Sequence, residues 1–322
     1  MNGSDKSMDM YQKRKMRQES KKNEEKSFSK TSINWYPGHM AKTMRQIEAD
    51  IKLVDIVIEL LDARIPISSQ NPEIAGRIKN KKKIIILNKA DLADEKINQK
   101  WVSYFEKQNI PAVLIDSNSG KGIEKFIKKI EEMMQEMLEE QAKRGRVGRK
   151  IRAMILGIPN VGKSSFINRI SKRTTAEVGN KPGVTKKKQW IRINDKVELL
   201  DTPGVLWPKF ESEEVALNLA FTGTIKENVL QRTEVAYQLV KFLLENYRKN
   251  LCERYNFSEE HIEEVLSQEQ PENFNIYEIM LEIGRKRGCV VSGGEIDEEK
   301  TSKIILDEFK NGKLGKITLE KP

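Results

Sequence analysis

Cysteine and histidine are almost missing from this 322-residue chain, which has only Cys252, Cys289, His39 and His261. Two cysteines cannot build a disulfide framework, and so small and scattered a set argues against a cysteine/histidine zinc site. Long apolar runs are missing as well. No stretch approaches the ~18 uninterrupted apolar residues of a membrane-spanning helix, and hydrophobic residues make up only 38% of the chain. A soluble protein of a reducing compartment, the cytoplasm, is expected. No internal repeat is present. Charge is plentiful: 58 Lys and Arg against 48 Asp and Glu leave a formal +10 and a pI near 9.3. That excess favours a polyanionic partner but leaves open whether it is nucleic acid, a membrane surface or a nucleotide phosphate.

The length predicts about two domains. Residues 1–32 are polar, carry nine basic and five acidic residues, and lack an apolar period, which reads as a disordered basic arm. Its acidic residues speak against a transit peptide, and the missing apolar core speaks against a secretory signal. A solvated tail without a specific role is the simpler reading of such a segment. An aromatic, turn-rich start, Asn34-Trp35-Tyr36-Pro37-Gly38-His39, then leads into a helical stretch to Lys52. Short, nearly continuous apolar runs follow at 54–61, 83–87, 111–115, 151–156 and 197–200, with helix-like segments such as 94–109 and 122–140 between most of them. This alternation predicts an α/β domain over 33–206, with a mostly parallel sheet covered on both faces. Beyond Trp207-Pro208 helical spacing takes over, at about 212–249, 258–267, 275–287 and 297–310, and predicts an all-α second domain over 207–322.

The strongest motif is Gly157-Ile158-Pro159-Asn160-Val161-Gly162-Lys163-Ser164 followed by Ser165, a G-x-x-x-x-G-K-S loop between a strand and a helix. Glycine-permissive backbone lets successive N–H groups wrap phosphates, Lys163 then reaches the β and γ phosphates, and the Ser164 hydroxyl takes a Mg²⁺ position. Asn88-Lys89-Ala90-Asp91 follows the strand at 83–87 in the N-K-x-D form of guanine sites. An Asp91 carboxylate accepts from both the ring N–H and the exocyclic amine of guanine, whereas adenine would leave it unpaired. Asn88 and the Lys89 stem would buttress the base and the phosphate loop. Taken alone, N-K-A-D is also an ordinary helix cap. Asp201-Thr202-Pro203-Gly204 ends the run at 197–200. There Asp201 can hold Mg²⁺ through a water and the Gly204 N–H can meet the γ phosphate, although the same string is also a plain turn. Thr185 stands where a second metal-binding hydroxyl belongs, and by itself it is a loop threonine. Together these parts imply a GTPase site.

Their order is unusual. N-K-x-D comes first, a candidate base loop Ser117-Asn118-Ser119 second, and the phosphate loop, Thr185 and D-T-P-G only afterwards. This is a circular permutation of the Ras-like order, with the basic stretch 141–150 as the new junction. On these motifs, the N-W-Y-P-G-H-M-A-K start, Asp62-Ala63-Arg64-Ile65-Pro66, the string R-G-C-V-V-S-G-G-E-I-D at 287–297 and G-K-L-G at 312–315, residues 33–322 resemble the circularly permuted bacterial GTPases of the YlqF/RbgA family, the ribosome biogenesis GTPase A proteins. The base loop departs from the commoner Ser-Ala form at Ser117 and Asn118.

The resemblance implies a circularly permuted Ras-like P-loop GTPase domain followed by a helical RNA- and ribosome-binding domain. It implies GTP and GDP as ligands, Mg²⁺ held by Ser164, Thr185 and Asp201, and late assembly of the large ribosomal subunit, with its precursor's RNA and proteins as partners. In Ras-like enzymes a glutamine just after D-x-x-G orients the attacking water. Val205 and Leu206 stand here instead, so slow intrinsic hydrolysis, stimulated by the subunit, is expected. The resemblance puts His39 forward as the water-orienting residue and Asn160 as a K⁺ ligand. The plainer readings are a helix-start histidine and an ordinary loop amide. Basic runs at 143–152, 186–188 and 285–287, with Lys310, Lys313 and Lys316, suit RNA phosphates, although each alone is more often a solvated face. A monomer away from the ribosome is expected. A GTP-regulated RNA-binding switch or chaperone, with incidental hydrolysis, is the alternative. A signalling GTPase at a membrane surface has no lipidation signal behind it.

Overall fold

The computed structural model describes residues 39–78, 81–178, 190–207, 210, 212–225 and 231–322. Thr185, the run Lys186-Lys187-Lys188 and the arm 1–32 lie outside these residues.

The apolar runs form the strands expected of them: β1 (Ile56–Asp62), β2 (Lys82–Asn88), β3 (Ala112–Ile115), β4 (Ile151–Leu156), β5 (Trp190–Arg192) and β6 (Val197–Leu200). They make one six-stranded sheet in the order β3-β2-β1-β4-β6-β5. Every pairing is parallel except β5 with β6. Alternation along a strand sends side chains to opposite faces, and both faces are apolar here. Ile56, Ile58 and Leu60 of β1, with Ile84 and Ile86 of β2, face one core. Helices α4 (Ile123–Lys143) and α5 (Lys163–Val178) close it, with Phe126 and Phe166 packed edge to face at 5.4 Å. Val57 and Met154 face α1 (His39–Ile51) on the other side, and Leu61, Ile85 and Leu87 face Trp101 and Phe105 of α3 (Glu95–Lys107). A one-turn helix, α2 (Pro72–Ala75), has no counterpart in the apolar pattern and is started by its Asn71 cap and a proline in its first turn.

In the helical region the segment expected at 212–249 is not one helix. It holds α6 (Glu213–Phe221) and α7 (Arg232–Asn246), and a further helix, α8 (Arg248–Tyr255), follows where none was expected. No glycine or proline marks the break between α7 and α8. Tyr247 makes it tertiarily: its hydroxyl donates to Thr318 O and accepts from Thr318 N, both at 3.1 Å, with φ −141° and ψ 39° at that residue. Helices α9 (Glu259–Leu266), α10 (Glu272–Lys286) and α11 (Glu298–Lys310) complete the region.

The two regions share one apolar core. Ile58, Phe126 and Phe166 belong to the same buried cluster as Leu206, Trp207, Leu219, Leu239 and Phe309. The last residues leave the helices and return to the sheet as a strap. Ile317 N donates to Leu92 O (3.0 Å), Asp94 N to Thr318 Oγ1 (3.0 Å), Leu319 N to Arg64 O (2.8 Å) and Trp101 Nε1 to Glu320 O (3.1 Å). The Glu320 carboxylate accepts from the N–H groups of Ile67 (2.6 Å) and Ser68 (2.9 Å) and from Asn218 Nδ2 (3.2 Å). Burial raises the Glu320 pKa, against the pull of these hydrogen bonds.

Candidate functional site

Because β2, β3, β4 and β6 run parallel, their carboxyl ends lie along one edge of the sheet, where α/β folds bind ligands. Asn88-Lys89 leaves β2, Ser117 follows β3, the phosphate loop leaves β4 and Asp201 leaves β6. Segments as far apart in the chain as Asn88 and Asp201 are thereby brought onto one edge.

Asn88 is the staple. It is buried, its Nδ2 donates to Val161 O in the phosphate loop (2.8 Å), and its Oδ1 accepts from both N (3.2 Å) and Oγ (2.6 Å) of Ser117. Ser117 thus braces Asn88, while Asn118 is exposed and donates its N–H to Asp116 Oδ1 (2.8 Å). Lys89 sits at φ 58°, a left-handed conformation, and its Nζ reaches Asn160 O (2.7 Å) and Asp62 Oδ2 (2.9 Å). Asp91 remains exposed beside these braces. Partial desolvation, and then the Asp116 charge, push its pKa up. Burial raises the pKa of Asp116 as well, but hydrogen bonds from Ser119 and from the Asn118 N–H outweigh that and hold it low.

The phosphate loop needs unusual backbone in two places, Asn160 (φ 64°) and Gly162 (φ 94°). A Cβ on Gly162 would lie 2.3 Å from Asn88 Nδ2, so Gly162→Ala must both strain its own backbone and dislodge the staple. We expect that variant to bind GDP about 100-fold more weakly, the loss of about 3 kcal/mol that backbone strain and a broken buried hydrogen bond together produce; titration with a fluorescent GDP analogue checks it. Lys163 is only 11% exposed and lies 3.6 Å from Asp201, which is 46% exposed. Burial lowers the Lys163 pKa and Asp201 opposes that shift. Ser164 and Ser165 are exposed at the start of α5, whose N–H groups and dipole favour an anion.

The segment after β6 is held against this loop. Thr202 Oγ1 donates to Ile155 O (2.5 Å), Asn71 Nδ2 donates to Val205 O (3.0 Å), and a Cβ on Gly204 would come within 3.1 Å of Pro159 N. Val205 and Leu206 are buried, so neither offers a polar group to a water. Among the described residues no group of three or more His, Cys, Asp and Glu is placed to hold a metal ion. The oxygen donors that fit a hard cation here are the Ser164 hydroxyl and the half-exposed Asp201 carboxylate, and a divalent ion would draw its remaining ligands from phosphate oxygens and water.

His39 opens α1, but its side chain is outside the described residues, as is all of Thr185. Asn160 Nδ2 donates to Gly223 O (2.6 Å), just past α6, so in this conformation the amide faces the helical region. Four residues to which the motifs assign no role, Asp62, Arg64, Asn71 and Thr202, position the loops. A polar residue at the end of a mostly apolar strand, as at Asp62, is the signal that would have found the first. The basic runs are more engaged than their sequence suggested. Arg149 pairs with Asp55 (2.6 Å), Lys150 with Glu198 (2.6 Å) and Arg287 with Glu308 (3.4 Å), and Lys316 pairs with Glu95. Arg152 lies over the Trp190 ring at 5.2 Å. No helix among the described residues is long and apolar enough to cross a membrane.

The family model described as a 50S ribosome-binding GTPase matches residues 152–277. The Ribosome biogenesis GTPase A of Bacillus licheniformis is 45% identical over 290 residues, covering 90% of this chain and 98% of that protein. A GDP-bound structure of TM YlqF superposes with a TM-score of 0.61 at 26% identity, over 86% of this chain and 99% of that one. The GNP-bound crystal structure of YlqF from T. maritima gives 0.59 at 27% identity, over 87% of this chain and 98% of that one.

Proposed function

The chain belongs to the ribosome biogenesis GTPase A family, and from that premise we propose that it binds the precursor of the large ribosomal subunit in its GTP form and leaves on hydrolysis. It is a GTP hydrolase of ribosome biogenesis. The observation that carries the finer reading is the Asn88 staple, which joins the guanine motif, the base loop and the phosphate loop through one buried amide. Asp91 reads the base, Asn88, Lys89, Ser117 and Asn118 frame it, and Pro159, Asn160, Val161, Gly162, Lys163, Ser164 and Ser165 surround the phosphates. Thr185 and Gly204 are assigned to the γ phosphate and its metal.

Ser164, Thr185 and Asp201 would hold Mg²⁺, which would supply positive charge beside the phosphates. Val205 and Leu206 cannot orient water, which is why turnover is slow until the ribosomal surface completes the site, with His39 as the water-orienting group. Asn160 is the K⁺ ligand of this reading. The protein acts as a monomer in the cytoplasm. Residues 33–206 form its GTPase domain, 207–322 its RNA- and ribosome-contacting domain, and 1–32 a basic arm.

Sedimentation with purified large-subunit precursors tests the proposal. The protein should pellet with them in a non-hydrolysable GTP analogue and stay in the supernatant with GDP. It should also dissociate as salt rises, about tenfold in affinity for each doubling if three or four phosphates are contacted. Equal pelleting in both nucleotides would count against release by hydrolysis.

A further inference from the structure

Two polar connections join the phosphate loop to the helical region. The first is the Asn160 amide on Gly223 O. The second begins at the same residue: Asn160 O accepts from Lys89 Nζ (2.7 Å), which also pairs with Asp62 Oδ2 (2.9 Å). Asp62 closes β1, fully buried, and both of its oxygens are taken by Arg64, with Nε on Oδ1 (3.0 Å) and Nη2 on Oδ2 (2.8 Å). The free arm of the guanidinium, Nη1, donates to the carbonyl oxygens of Phe309 and Lys310 (3.4 Å each). Those carbonyls belong to the last turn of α11, where the dipole favours a cation; Phe309 O also accepts from Gly312 N–H (3.1 Å). The guanidinium also lies 5.2 Å over the Phe309 ring. The circuit closes on itself, because a Cβ on Gly223 would sit 3.2 Å from Lys310 Cε.

Most links are short or buried, and the longest, from Nη1 to the two α11 carbonyls at 3.4 Å, is charge-assisted and doubled. Asp62 cannot leave Arg64 without stranding a buried charge on each side. Burial alone would raise the Asp62 pKa, yet Arg64 and Lys89 hold it far below the usual carboxylate range. A movement of residues 158–162 around phosphates is therefore passed through Lys89 to Asp62 and onward to the end of α11.

We propose that Arg64 is a positioning residue that couples nucleotide occupancy at the phosphate loop to the C-terminal end of α11, by a route separate from the segment 201–207. The inference rests on the guanine-nucleotide reading of the site. Nothing in it requires Arg64 to touch nucleotide.

Amide hydrogen exchange on the full chain, with and without saturating GDP, is the test. In the wild type GDP should slow exchange at 307–315 by about fivefold or more, the scale of ordinary coupling free energies. Arg64→Lys keeps a charge beside Asp62 but lacks the planar fork that reaches carboxylate and carbonyls together; Arg64→Gln is the neutral second variant. Either should bind GDP within about threefold of wild type while the GDP effect at 307–315 falls below about twofold and the effect at 201–207 persists. A purely structural role for Arg64 would lower the melting temperature and leave the GDP effect in place, which overturns the proposal. So does a wild type that binds GDP with no change at 307–315. A wild type that does not bind GDP at all instead overturns the site reading on which the inference stands.

Discussion

Lys163→Ala is expected to lower GTP turnover per enzyme by about 100-fold or more, the usual consequence of removing one preorganised donor from a developing oxyanion. Lys163 is a nearly buried ammonium whose one acidic neighbour among the described residues is 3.6 Å away and half open to solvent. That leaves its charge under-compensated by protein groups and available to β and γ phosphate oxygens. The loop itself does not depend on it, since Asn88 and Lys89 hold its backbone carbonyls at Val161 and Asn160. The loss should therefore appear in kcat and in GTP affinity with little change in melting temperature. Lys163→Arg should not preserve turnover either, because a planar fork does not occupy the position of a compact ammonium. An alanine variant that keeps more than about a tenth of wild-type turnover would remove Lys163 from the mechanism.

Asp91→Asn should weaken GDP binding by about 100-fold or more, because the amide presents a donor to the guanine amine where the carboxylate presented an acceptor. Xanthine carries a carbonyl in place of that amine, so xanthosine diphosphate should bind the variant better than it binds the wild type. Acidification offers an independent check. Only the ionised carboxylate accepts from both guanine groups, and desolvation together with the Asp116 charge raises the Asp91 pKa in the nucleotide-free protein. GDP affinity should accordingly begin to fall, as pH drops, at a higher pH than an ordinary aspartate would impose. In Asp91→Asn that component of the pH dependence should vanish. Unchanged guanine selectivity in the variant would refute the role of Asp91.

The parallel sheet was legible because its central strands are nearly continuous apolar runs, broken only at residues such as Glu59 and Arg152, and the edge carrying the site was legible because N-K-x-D, the base loop, the phosphate loop and D-T-P-G each directly follow such a run. The permuted order of those motifs needed no coordinates either. Contacts between distant segments were not legible. The break at Tyr247 contains no helix-breaking residue and exists because Thr318 engages its hydroxyl. The strap at 313–322 carries no strong period, and it is positioned by backbone groups of Leu92, Asp94 and Arg64 together with scattered side chains such as Trp101, Thr318 and Glu320 that no local pattern links. Net charge misled in a particular way. The junction at 143–152 has six basic residues and no acidic one, yet Arg149 and Lys150 find Asp55 and Glu198, which lie far away in the chain. Local charge density overstates what remains for RNA.

Three routes join the site to the helical region, the segment 201–207, the Asn160 amide and the Arg64 relay, and the first exists because the permuted order places D-T-P-G directly before that region. The segment 201–207 runs directly into the shared core through Leu206 and Trp207, and Asn160 reaches Gly223 from the loop itself. In the proposed cycle, closing around GTP and reopening after hydrolysis would act through these routes on the surface offered to the ribosome, a segmental change of the kind by which nucleotide switches work. The most direct test of this account is GTP turnover in K⁺ buffer, measured with and without purified large-subunit precursors. Many-fold stimulation by the precursor particles is the predicted result, and turnover unchanged by them would contradict it.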